Sequence, residues 1–74
     1  MKTALKIITP DDVRESVKAL SAVIQRDPGA AHSQEDALHL EVLKAISEDR
    51  CRQPRVCAAL AASTEDIEFP RWCG

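Results

Sequence analysis

Seventy-four residues, 45% of them apolar and 30% charged, with a net charge of −2, fit one small domain. That charge balance excludes a chain driven as a whole onto nucleic acid or an anionic membrane. No stretch approaches the roughly 20 apolar residues of a membrane-spanning helix. Eleven of the apolar residues are alanines and the aromatics are only Phe69 and Trp72, so the area available for burial is modest. Chains this short sit near balance between burial and the cost of ordering, and commonly need a staple or a partner subunit.

In chain order, the opening run to Ile8 is broken by Lys6 and is too short for a signal-peptide core. Leu5, Ile7 and Ile8 face different ways, as in an edge strand or an extended apolar arm. Three cysteines, an odd number, do not make a secreted disulfide framework, and a cytoplasmic location is expected.

Thr9-Pro10-Asp11-Asp12 reads as a helix start. Thr9 is placed to cap, Pro10 suits a first helical position where no N–H is needed, and Asp12 stands at capping-box spacing. Ile8 and Val13 have the spacing of a hydrophobic staple. Val13, Val17, Leu20 and Ile24 then form a stripe spaced 4-3-4, widened by Ala19 and Val23. Asp11 can reach Arg14 and Glu15 can reach Lys18. Pro28-Gly29 ends the helix, because proline disfavours helix at the residue before it.

Ser33, with Asp36 three residues on, reads as the cap of a second helix after a connection over residues 27–33. Its apolar face holds Leu38, Val42, Ala45 and Ile46, with Leu43 close by, whereas Leu40 falls away from the stripe. A helix apolar over more than one face is central or shared with another chain. Glu48-Asp49-Arg50 ends it. A third, short helix runs from Pro54 to Ala62, with Val56, Ala59 and Leu60 as its stripe and Cys57 and Ala61 flanking. Ser63 caps one more turn, and Pro70 prevents a long terminal helix.

The predicted architecture is therefore all-α: a three-helix module over residues 1–74, with a short C-terminal helical turn and an extended N-terminal arm. The first two helices form an antiparallel hairpin and the third packs across them.

No catalytic residue, cofactor or metal is expected. Nucleophilic catalysis requires a nucleophile, a base and an orienting group in one pocket, and no such motif is present. Cys51, Cys57, Cys73 and His39 are zinc-binding types, but Cys51 and Cys57 are separated by five residues where structural zinc sites use two to four. Cys57 suits a core position instead. A Cys51–Cys57 disulfide is a further alternative, as is a link between chains through Cys73. His32, Asp36 and His39 share a face only if the second helix begins early; otherwise His39 pairs with Glu35 or Asp36 at the surface.

Two binding readings remain. Arg50, Arg52 and Arg55 could meet phosphates at the start of the third helix, as in a helix–turn–helix regulator. The residues that follow, Val-Cys-Ala-Ala-Leu-Ala-Ala-Ser, have almost nothing with which to read bases. The preferred reading is a protein–protein interaction module that occupies a partner's surface. Its expected binding residues are Phe69, Arg71, Trp72, Leu40, Arg50, Arg52 and Arg55, since aromatics and arginine favour interface centres. A homodimer buried through some of Val17, Leu20, Ile24, Leu40 and Leu43 is expected. In style the chain resembles the small accessory and inhibitor proteins of bacteria and their phages. A DNA-associated regulator and a metal-stabilised binding module are the alternatives.

Overall fold

A computed structural model describes Ile7 and residues 9–69. They form α1 (Pro10–Arg26), α2 (Pro28–Ser47) and α3 (Pro54–Ala62), followed by a single 3-10 turn (Ser63–Asp66). The all-α architecture is as expected. Apart from Ile7, the expected N-terminal arm over residues 1–8 lies outside the described residues, including Ile8 of the expected staple, as do Arg71, Trp72 and Cys73.

Each of the three helices opens on a proline in its first turn, where the missing N–H leaves nothing unsatisfied. At α1 the reciprocal capping box forms. The Asp12 amide donates to Thr9 Oγ1 at 3.3 Å, and the Thr9 amide donates to Asp12 Oδ2 at 2.9 Å. Asp11 pairs with Arg14 at 2.7 Å on the exposed face.

The connection between α1 and α2 is one residue, Asp27, rather than the expected segment 27–33. Its backbone N–H donates to Val23 O (2.8 Å) and its carbonyl accepts from the Ala31 amide (2.9 Å), so it closes one helix and begins the next. Its carboxylate accepts from the Ala30 amide at 3.2 Å, which makes Asp27 the cap that Ser33 was expected to be. Pro28 both stops α1 and starts α2. Reading it only as a stop places the cap of the second helix six residues late.

Val13, near the start of α1, shares a core cluster with Val42 and Ala45, near the end of α2. With 1.5 Å of rise per residue, helices joined at Asp27 bring those positions together only by running antiparallel. Ile7, Leu38, Cys57 and Ala61 complete the cluster, and Val17, Ile46, Cys51 and Leu60 pack against it. On α3 the buried positions are Cys57 and Ala61. The expected stripe of Val56, Ala59 and Leu60 is thus rotated: Ala59 is exposed and Val56 and Leu60 are half-buried. Small side chains permit close helix packing, and it is Cys57 and Ala61, not the larger Val56 and Leu60, that α3 buries fully.

α2 ends in a Schellman motif. The Arg50 amide donates to Ala45 O and the Asp49 amide to Ile46 O, each at 3.0 Å. Asp49, at φ 60°, occupies the left-handed position usually given to glycine. Gln53, at φ 50°, is a second left-handed residue and leads directly into Pro54. Ser63 does not cap the last turn. Its hydroxyl donates back to Leu60 O at 2.6 Å.

Candidate functional site

The surface of α2 divides by its helical period. Leu38, Val42 and Ala45 are buried, whereas Leu40 is 58% and Leu43 65% exposed. Leu40 and Leu43, three residues apart, are neighbours on the helix surface. Leu43 lines a groove of about 280 Å³ between α2 and α3, together with Val42, Ile46, Ala58, Ala62 and Glu65 among others. The alanines of α3 leave this groove open, because nothing larger projects from that helix to fill it.

One end of the groove is held by a polar clamp. His39 Nε2 lies 3.1 Å from Ala61 O and 2.9 Å from Thr64 Oγ1, and the Thr64 hydroxyl donates to Ala61 O at 3.1 Å. Thr64 is fully buried. Once the Thr64 hydrogen points at Ala61 O, both atoms facing Nε2 are acceptors, so Nε2 must carry a hydrogen. His39 is therefore a tie between α2 and the end of α3, not the surface ion-pair partner of Glu35 or Asp36. Nothing in the local sequence signals this contact, because its partners lie 22 and 25 residues away.

His32 does enter α2, through the early start of that helix. Its Nε2 stands 3.7 Å from Asp36 and its Nδ1 4.0 Å from Glu35, distances too long for hydrogen bonds. His39 is directed elsewhere, so the three-residue face of His32, Asp36 and His39 does not assemble. Among the described residues no three His, Cys, Asp or Glu side chains gather as a metal site requires.

Arg50, half-buried, is engaged by the protein's own groups. Nη2 meets Glu41 at 2.8 Å, Nε meets Glu48 at 2.7 Å, and Nη1 donates to Ile7 O at 3.1 Å. The hydrogen bond from Arg50 holds the Glu48 carboxyl below its usual range. In return, the bonds to Glu48 and then Glu41 hold the guanidinium above its own. Arg50 thus joins the end of α2 to Ile7 and is withdrawn from the expected basic cluster. Arg52 and Arg55 are exposed and Phe69 is half-buried. Within the expected dimer set, Leu20 is buried inside the chain and Val17 packs against its core, which leaves Ile24, Leu40 and Leu43.

The joint between α2 and α3 brings Cys51 and Cys57 together, Sγ to Sγ, at 2.9 Å. Cys57 is fully buried and Cys51 half-buried. Burial, then the hydrogen bond and charge of Cys51, push the Cys57 thiol up to about 11.

Among the described residues no helix is long and apolar enough to cross a membrane. No family model matches the chain, and neither a curated protein nor a solved structure does.

Proposed function

We propose that this chain is a non-enzymatic protein–protein interaction module that binds through the α2–α3 groove and the adjacent Leu40 and Leu43. One observation carries the reading: two leucines more than half exposed, one of them lining an apolar groove, on a helix whose Leu38, Val42 and Ala45 are buried. Each leucine contributes roughly 1.5–3 kcal/mol when transferred from water to a packed interface. A second copy of the chain is the simplest occupant, and a surface of another protein, blocked by this one, is the alternative.

Nucleic-acid binding is less well supported. Arg50 would have to leave Glu41 and Glu48 to meet a phosphate.

Sedimentation across a concentration series tests self-association. The expected result is a dimer that Leu43→Glu converts to a folded monomer. A wild-type monomer at high micromolar concentration would refute the homodimer. Capture of a partner by wild type but not by Leu43→Glu would then support the alternative occupant, and capture by both would exclude this face.

A further inference from the structure

We propose that Cys51 and Cys57 form a redox-modification site, a dithiol that a small disulfide of the glutathione class converts to an intramolecular disulfide. The inference stands apart from the binding reading and rests on a different part of the molecule.

The two sulfurs are 2.9 Å apart, closer than van der Waals contact between sulfur atoms. Both thiols also face the same carbonyl, Arg52 O, at 3.5 Å from Cys51 Sγ and 3.4 Å from Cys57 Sγ. The backbone sets this approach. On one side the Schellman motif at Asp49 and Arg50 fixes how the chain leaves α2. On the other, left-handed Gln53 turns it into α3, where the Cys57 amide donates to Gln53 O at 3.1 Å. Two thiols held at such a separation react with each other's adducts as an intramolecular pair, with a high effective concentration.

Exposure divides the roles. Cys51 is half-buried and can be reached by a small molecule, whereas Cys57 is fully buried and cannot. The Cys51 thiolate attacks one sulfur of the external disulfide, forming a mixed disulfide and expelling one thiolate. Cys57 then gives up its proton and attacks the Cys51 sulfur, expelling the second thiolate, which takes up a proton. The sum is two cysteine thiols oxidised to one disulfide, and one external disulfide reduced to two thiols. The high proton affinity of Cys57 slows the second step near neutral pH, and the closeness of the two sulfurs offsets this.

The test uses the full chain carrying Cys73→Ser, incubated with oxidised and reduced glutathione and quenched by acid. Mass spectrometry should find a product lighter by two hydrogens, free of glutathione, with the peptides of Cys51 and Cys57 linked and the change reversed by dithiothreitol. The equilibrium constant for closure in native buffer should exceed that in urea by about tenfold or more, because the folded joint holds the sulfurs together. Cys57→Ser should stop at a glutathione adduct on Cys51, and Cys51→Ser should take up no glutathione while folded. A lasting adduct on Cys51 with Cys57 still present would overturn the proposal. So would closure no more favourable in native buffer than in urea, or no reaction at all.

Discussion

Replacing Thr64 with valine keeps the shape of the side chain and deletes one buried hydroxyl. That hydroxyl donates to Ala61 O at 3.1 Å and accepts from His39 Nε2 at 2.9 Å, so two hydrogen bonds go at once. His39 is not stranded, because Nε2 still reaches Ala61 O at 3.1 Å. The loss is then that of two ordinary hydrogen bonds without a newly buried unpaired donor, about 1–2 kcal/mol. For a domain of this size it lowers the melting temperature by roughly 4–16 °C. Thermal unfolding of Thr64→Val, His39→Ala and the double variant, all at one protein concentration, completes a cycle. The coupling between the two sites should be at least about 0.5 kcal/mol. A coupling indistinguishable from zero would refute the clamp, even if each single variant were destabilised. Nitrogen chemical shifts of His39 provide a second check, since the geometry requires the hydrogen on Nε2.

Three further outcomes follow from the backbone and the core. Thr9→Ala removes the α1 capping box and should cost about 1 kcal/mol in urea denaturation, and an unchanged midpoint would show the box to be idle. Asp49→Gly relieves a left-handed aspartate and removes a negative charge from the C-terminal end of α2. It should therefore raise the urea midpoint, whereas Asp49→Ala should not; equal effects would argue against the left-handed geometry. Cys57 keeps its proton up to about 11 when folded, against an ordinary 9.0. Its contribution to stability is complete below about pH 9 and is lost between about 9 and 11, as the unfolded chain ionises first. Under reducing conditions, wild type should weaken over that range more than Cys57→Ala does, and parallel pH profiles would contradict the burial.

What could be read directly from the chain was local. Thr9 to Asp12 carry a complete helix start within four residues, and the Asp11–Arg14 pair needs only the helical repeat. Pro54 announces α3 for the same reason as Pro10 announces α1. The inward positions Leu38, Val42 and Ala45 follow from periodicity, since a 3.6-residue repeat places them on one side whatever lies opposite. The exposure of Leu40 follows equally, because it stands off that stripe. Asp27-Pro28 was equally local, but ambiguous: the same two residues that terminate one helix also initiate another. Local chemistry allowed either a loop or a one-residue turn, and only the antiparallel packing of α1 on α2 selected the turn.

Tertiary structure decided the rest, because the remaining contacts join residues far apart in sequence. Which side of α3 faces inward was settled by its packing on α1 and α2, which buries Cys57 and Ala61. His39 had charged neighbours within one turn of helix, yet a buried hydroxyl and a carbonyl at the end of another helix gave it better-shielded partners. Arg50 stood among arginines in sequence and among carboxylates in space. Cys51 and Cys57 became a pair only when two left-handed residues folded the joint back on itself. A linear pattern states which side chains are available to meet; the path of the backbone states which of them do.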